Sequence, residues 1–295
     1  LNKKILFAIF TCNRFYYLKN CIESILECHD LDRIDVLICD NCSIEDGYEE
    51  YLNNIANNKN ITVKRFEDRT RNELYRAMNW TIEYAKKCKY DIVNLIQDDF
   101  QFLYRNDDLL DDVINIFNSN DNVVQINTNL MWKRKKDRHG KLKNINSKFN
   151  YAIMMDKNPC DNGFTRVSVY NKVGAYPSKA ISWGHGKDRY VGKMNGELWF
   201  GKRCSKYGYK RAVCYMANAG MIFDCAYVRG HERFGKYFPP PNKHYLKILP
   251  QGKIEKIRRN QDKKRFSFIE DLCIPDGWTP STMGKHGSEK IVIKI

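Results

Sequence analysis

Nowhere does the 295-residue chain offer the roughly 18 consecutive apolar residues that a bilayer span needs, and no charged-then-apolar leader opens it. Those absences lead us to expect a soluble, cytoplasmic protein. The chain starts at Leu1 without an initiator methionine, as in a trimmed chain or one with a removed upstream region. No internal repeat recurs. Zinc-finger spacing is also missing: Cys39-Asp-Asn-Cys42 is a single C-x-x-C pair with no second pair to complete a tetrahedral site. The 11 cysteines, an odd number scattered through apolar stretches, read as reduced and mostly buried thiols. The turn after the first apolar run, Thr11-Cys12-Asn13-Arg14, has no glycine, so a Gly-rich phosphate loop is absent there.

What is present is ordinary globular composition, 43% hydrophobic and 13% aromatic, enough to bury a core without staples. The charge is unevenly placed. Residues 1 to 127 carry 15 Lys+Arg against 22 Asp+Glu, a net of −7, while residues 128 to 295 carry 35 against 13, a net of +22. A half so basic invites anionic partners: nucleotide phosphates, an anionic membrane surface or nucleic acid.

Along the chain, short apolar runs alternate with helical periodicity. Lys4 to Phe10, Asp35 to Cys39, Ile61 to Phe66, Ile92 to Ile96 and Val123 to Ile126 read as strands. Leu18 to Leu26, Tyr48 to Ile55, Glu73 to Cys88 and Leu109 to Phe117 read as helices, the third with Met78, Ile82 and Ala85 inward. All-apolar strands alternating with helices predict a mainly parallel, doubly wound sheet with helices on both faces. Residues 133 to 148 are basic and loop-like, Asn162 to Val173 is a strand entering a helix, and Glu197 to Tyr207 is an amphipathic helix stopped by Gly208. The run Pro239-Pro240-Pro241 is expected to end the compact region, leaving a basic tail that wraps the body or reaches a partner.

The most informative segment is Tyr90 to Asp99, where a buried strand runs directly into adjacent carboxylates, Asp98 and Asp99. Hard oxygen ligands at the carboxyl edge of a parallel sheet suit a divalent cation, Mn2+ or Mg2+. Other pieces stand in a telling order around it. The first strand ends in Thr11-Cys12-Asn13-Arg14, the next helix carries L-x-x-C-I-x-S-I from Leu18 to Ile25, the second strand ends in Asp40-Asn41-Cys42-Ser43, and Asn79 to Ala85 has the form N-x-x-I-x-x-A.

This series resembles the family 2 glycosyltransferases of the GT-A (nucleotide-diphospho-sugar transferase) fold, over roughly residues 4 to 231. The resemblance implies that Asp40 reads the nucleobase of a sugar donor, that Thr11, Asn13, Arg14 and Asp98 serve the nucleotide sugar, and that Asp99 takes the metal. Gln97 stands where the family often has a further acidic residue. Arg71 and Arg76 flank the donor region as candidate contacts.

In the family the catalytic base lies in a Glu-Asp pair seven residues before an Arg, with Gly-Tyr five residues beyond that Arg. Arg203 and Gly208-Tyr209 keep the spacing, which places the pair on Gly196-Glu197 and makes Glu197 the candidate base; a carboxylate that merely starts a helix is the plain alternative. The rival base is Asp188 in Trp183-Gly-His-Gly-Lys-Asp188, a loop similar to those of other GT-A enzymes, with Trp183 available to stack on an acceptor sugar. His231, in Arg229-Gly-His231-Glu-Arg233, stands where many such enzymes carry a late histidine toward the metal or pyrophosphate.

The resemblance therefore implies a metal-dependent inverting glycosyltransferase with a UDP-sugar donor and a glycan acceptor. It divides into a donor half (1–128), an acceptor and catalytic half of the same domain (129–238), and a basic extension (239–295) for which a peripheral place at a membrane is one expectation. Competing classes are a nucleotidyltransferase, disfavoured by the glycine-free first turn, and a nucleic-acid binder or nucleic-acid-modifying transferase, suggested by the basic half but without a recognisable single-strand motif.

Overall fold

A computed structural model describes residues 4–67, 73–128, 142–143, 151–154, 163–177, 196–214, 218–221, 239–240, 243–260 and 273. Among them, strands β1 (Ile5–Thr11), β2 (Ile34–Asp40), β3 (Ile61–Arg65) and β4 (Ile92–Gln97) alternate with helices α1 (Phe15–Cys28), α2 (Tyr48–Ile55) and α3 (Glu73–Lys87). These match the elements expected from periodicity. A short β5 (Phe100–Phe102), α4 (Leu109–Asn118), β6 (Val123–Asn127), β7 (Leu142–Lys143), β8 (Tyr151–Met154) and β9 (Gly163–Arg166) follow. A 3-10 turn leads into α5 (Tyr170–Val173), and α6 (Gly196–Lys206), β10 (Lys210–Cys214), β11 (Ala219–Met221) and α7 (Gln251–Asn260) complete the set.

Nine strands form one sheet in the order β3-β2-β1-β4-β9-β6-β10-β8-β7, and β5 pairs separately with β11. The β1–β2, β1–β4, β2–β3 and β6–β10 pairs are parallel; β9 runs antiparallel between β4 and β6. The sheet is thus mainly parallel. Because β9 inserts between β4 and β6, the first 128 residues and the segment that follows them share one sheet.

Side-chain alternation along β1 sorts the core onto two faces. Ile5, Phe7 and Ile9 pack with Leu18, Ile22 and Ile25 of α1 and with Val113, Ile116 and Phe117 of α4. Leu6, Ala8 and Phe10 turn the other way, onto Tyr75, Met78 and Ile82 of α3 and Phe200 of α6. Both faces of β1 are covered, which is why β1, β2 and β4 are mostly apolar and buried along their length.

Of the two courses expected for the tail, its described residues take the one along the body: Tyr245, Leu246, Leu249 and Ile254 are buried, with Tyr245 held by Asn20 of α1 and Leu246 by Gln101 of β5.

Candidate functional site

Parallel strands put their carboxyl ends at one edge, and register decides which residues meet there. Thr11 at the end of β1 is the partner of Asp40 at the end of β2, and Asp40 in turn faces Arg65 at the end of β3. On the other side Phe10 pairs with Gln97, so the next residue, Asp98, donates its N–H to the Phe10 carbonyl at 3.1 Å. The motifs taken separately from the sequence therefore converge on one sheet edge.

The loops are knitted across that edge. Asn41 N–H reaches the Thr11 carbonyl at 3.0 Å, Asn13 N–H donates to Ser43 Oγ at 2.8 Å, and Asn13 Oδ1 accepts from Ile44 N–H at 3.0 Å. Two non-glycine residues in these loops, Asn13 (φ 50°) and Cys42 (φ 56°), have left-handed backbones, a conformation that costs free energy for a residue with a Cβ and gathers at functional loops. Helix α1 begins beside the site with no capping side chain of its own; the Phe15 N–H is instead taken by Glu45 Oε2 at 2.8 Å. Ile44, 77% exposed, is a large apolar side chain held at this rim.

Charge is concentrated here out of water. Asp98 and Asp99 are 2% and 4% exposed, and Arg14 Nη1 lies 3.1 Å from Asp98 Oδ1 and 3.9 Å from Asp99 Oδ2. Burial raises the Asp98 carboxyl above its ordinary value, and the Arg14 charge only partly opposes this. Glu45 is raised for the same first reason, with the negative charges of Asp98 and Asp40 adding to the effect. With Asp98 raised by burial and Glu45 raised in part by the charges of Asp98 and Asp40, a hard cation placed here would relieve the cost of the negative charge. Among the described residues no three His, Cys, Asp or Glu side chains converge as a closed metal cage. Asp98 and Asp99 fit a divalent ion that takes its other ligands from phosphate oxygens and water, as Mg2+-type sites do.

Asp40, expected to read the nucleobase, stands at this edge with both oxygens in a network of side chains. It is 0% exposed: Oδ1 accepts from Ser43 Oγ at 2.6 Å and Tyr48 Oη at 2.9 Å, and Oδ2 from Arg65 Nε at 3.1 Å. These bonds tie the loop after β2 to α2 and β3. Arg65 also reaches the Ser43 carbonyl at 2.9 Å. Sequence reasoning missed Arg65 and Glu45. Arg65 was readable as the last residue of a strand but not as the register partner of Asp40, while Glu45 caps a helix 30 residues earlier in the chain and has no local signal.

On the other face, helix α3 starts just past the end of β3, so its first turn lies at the same edge. Arg76 there stacks over the Phe66 ring with 5.0 Å to the centroid. Asn79 clamps the backbone of Tyr176, accepting from its N–H at 2.8 Å and donating to its carbonyl at 2.9 Å, which gives the N-x-x-I-x-x-A pattern a structural purpose. Tyr75 packs against Tyr176 and against the start of α6: a Cβ on Gly196 would lie 2.4 Å from Tyr75 Cε1. Only glycine fits beside that ring. The residue before Glu197, where the family pair has a second acidic residue, is thus a glycine packed on the Tyr75 ring. Glu197 itself is buried, 7% exposed, in the first turn of α6, where the helix dipole favours a carboxylate. Arg203, on the same helix, donates to the Val173 carbonyl at 2.8 Å and so ties α6 to α5. Arg71, Trp183, Asp188 and His231 lie outside the described residues.

No helix of the described residues is long and apolar enough to cross a membrane. No curated protein matches the chain. Solved structures do. Staphylococcus aureus TarS residues 1–349 superpose with a TM-score of 0.52 at 14% identity, over 75% of this chain and 61% of TarS. The same protein in complex with UDP-GlcNAc gives 0.51 at 15% identity, over 74% of this chain and 58% of that one. GalNAc-T7 with UDP, GalNAc and Mn2+ gives 0.53 at 12% identity, over 74% and 43%. The chain thus spans less than two thirds of each neighbour's length, and at these identities the likeness is one of fold, the GT-A fold. The profile described as Glycosyl transferase family 2 matches residues 7–168, more than half of the sequence and all of the carboxyl-edge site built from β1, β2 and β4, so the chain belongs to glycosyl transferase family 2.

Proposed function

We propose that the protein is a metal-dependent, inverting glycosyltransferase that moves a sugar from a nucleotide-sugar donor, a UDP-sugar, to a hydroxyl of a glycan acceptor. The observation that carries this reading is the convergence of Arg14 with two buried carboxylates, Asp98 and Asp99, at the carboxyl edge of the parallel sheet. Family membership and the UDP-GlcNAc and UDP complexes of the TarS and GalNAc-T7 neighbours support the donor class.

Asp99 would hold the cation and Asp98, kept in place by Arg14, would serve the ribose or a metal-bound water. When bound, the cation supplies positive charge to the diphosphate leaving group. The polypeptide does the rest. The Asn13–Ser43 and Asn41–Thr11 bonds fix the loops that receive the nucleoside, with Asp40 and Arg65 positioning them from behind. Glu197 accepts the proton of the acceptor hydroxyl as its oxygen forms the bond to the anomeric carbon; the bond from that carbon to the phosphate oxygen breaks, and the nucleoside diphosphate leaves with the electron pair. Asp188 remains the rival base, with Trp183 stacking the acceptor sugar, and His231 would approach the metal or pyrophosphate. The basic second half suits an anionic acceptor.

A thermal-shift panel of nucleotide sugars with and without Mn2+ tests the reading, since a ligand that binds only the native state raises apparent stability. A UDP-sugar that stabilises only with Mn2+, and more than the matching GDP-sugar, is expected. Stabilisation by nucleoside triphosphates with no response to any nucleotide sugar would overturn it in favour of a nucleotidyltransferase.

A further inference from the structure

Between the proline run and α7, residues 243–250 cross the molecule beside the site. Their grip is polar and deeply buried. Asn20, on α1, is 1% exposed; its Oδ1 lies 3.2 Å from the His244 Nδ1 and accepts the Tyr245 N–H at 3.2 Å. Gln101, in the middle of β5, is 0% exposed and clasps Leu246 at both ends of its backbone, donating to its carbonyl at 2.7 Å and accepting from its N–H at 2.9 Å. Further along, Leu249 N–H donates to the Leu103 carbonyl at 2.8 Å. At the outer end Lys243 and His244 both meet Glu27, the latter at 3.2 Å.

Each anchor is one short step from a site residue. Gln101, in β5, lies two residues after Asp99, which stands in the turn that leads into that strand. Asn20 lies on α1 below Tyr17, whose ring is edge-on to Tyr245 with centroids 5.4 Å apart, and the Arg14 guanidinium lies 5.9 Å from the Tyr17 centroid. Arg14 is the cation that holds Asp98. The segment also covers β11, where a Cβ on Gly220 would come within 3.4 Å of Leu246. Residues far along the chain thus supply hydrogen bonds that two buried polar side chains of the donor half would otherwise lack, and a buried amide without a partner is costly enough to shift the backbone that carries it.

We infer that residues 243–250 are a strap that sets the positions of Arg14, Asp98 and Asp99, and that Asn20 and Gln101 are positioning residues acting through it. The inference rests on the donor-site reading above for its consequence in binding, but not for the coupling itself. The strap grips both walls of the site, α1 through Asn20 and Tyr17 and the metal-side turn through Gln101, so freeing it loosens the pair of walls together.

The test compares Asn20→Leu with Asn20→Asp. Aspartate keeps the oxygen that receives His244 and Tyr245, and the Asn20 Nδ2 that it removes makes no hydrogen bond among the described residues. Amide hydrogen exchange is measured on the full chain, alongside calorimetry of UDP binding in Mn2+. In Asn20→Leu, exchange at residues 98–103 is expected to quicken relative to that of β1 and β2, and the dissociation constant for UDP in Mn2+ to rise about tenfold; Asn20→Asp restores both. If residues 245–249 exchange freely in Asn20→Leu while 98–103 keep wild-type protection, the strap does not position the turn and the inference falls. Should Asn20→Leu not fold, His244→Ala, which removes the side-chain bonds to Asn20 and Glu27 but keeps the Tyr245 N–H on Asn20, is expected to give the same pattern with smaller shifts, and unchanged protection at 98–103 together with a released strap overturns the inference equally. A wild-type chain that binds no UDP in Mn2+ refutes the donor-site reading alone, because the exchange data still decide the coupling.

Discussion

The two ends of the same strands are built on opposite rules. At the carboxyl ends of β1, β2 and β4, charges are buried: Asp40, Asp98 and Asp99 are almost fully covered, left-handed residues interrupt the loops, and each carboxylate is engaged by side chains from other elements. At the amino ends the charges stay in water. Arg33 pairs with Asp111 across the surface, with side chains 35% and 59% exposed, and Lys4 N–H merely touches Asp91. Burying a charge costs several kcal/mol unless partners offset it, so folding alone would not place so many at one edge. The contrast separates what holds the sheet together from what the sheet was built to hold.

The sharpest way to test that contrast is Asp99→Asn, which keeps shape and removes charge. Metal-dependent donor turnover is expected to be abolished while the melting temperature stays close to that of the wild type; full activity in chelator would remove the metal from the carboxyl edge altogether. Glu197→Gln asks whether this edge extends to α6. Transfer should fall by about 10² to 10⁴-fold with nucleotide-sugar affinity unchanged, because proton abstraction acts on the transition state rather than on donor binding. If Asp188→Asn costs more than Glu197→Gln, the base belongs to the Trp183 loop.

Asp40→Ala should act first on stability. It leaves Ser43, Tyr48 and Arg65 without their shared acceptor, and breaking such a buried, charge-assisted cluster costs about 3 kcal/mol. Nucleotide affinity should fall with it as the loop loosens. A weakened affinity with unchanged denaturant midpoint would return Asp40 to direct contact with the base.

Next in size is a pH effect. Burial raises the Asp98 carboxyl above its ordinary 3.8, so the native chain holds that proton more tightly than the unfolded chain does; the stability this gives is complete below 3.8 and is lost as pH rises through the raised value. A cation demands the ionised form, so stabilisation by Mn2+ should grow over the same interval. Melting curves of wild type and Asp98→Asn from pH 4 to 8 check this, and parallel curves would refute it. The smallest effect is expected at the opposite edge: Arg33→Ala should cost less than about 1 kcal/mol and leave activity untouched.

Most of the scaffold was legible in the chain because period and apolarity are local properties. Apolar strands such as Asp35 to Cys39 and the Met78, Ile82, Ala85 face of α3 stand where periodicity put them, and the carboxyl-edge loops were found because short polar motifs end those strands. Register was not legible. Only pairing brings Arg65 opposite Asp40, and only tertiary packing brings Tyr75 against Gly196, the residue before Glu197. The course of the segment after Pro241 was open in the sequence for a similar reason, since Tyr245, Leu246 and Leu249 are too few to show a period and their partners Asn20 and Gln101 lie more than 140 residues away.

The insertion of β9 has a consequence for how the protein is made. As the chain emerges from the ribosome, β1 to β4 and β6 are complete by Asn127, yet β4 and β6 are not neighbours and both wait for β9, whose residues 163–166 appear some 35 positions later. Until then two apolar strands each present a row of unpaired N–H and C=O groups, the feature that draws strands of different chains together. A nascent chain paused in that interval, or a truncation ending near residue 128, would therefore tend to aggregate even though the carboxyl-edge residues Thr11, Asp40, Asp98 and Asp99 are already present.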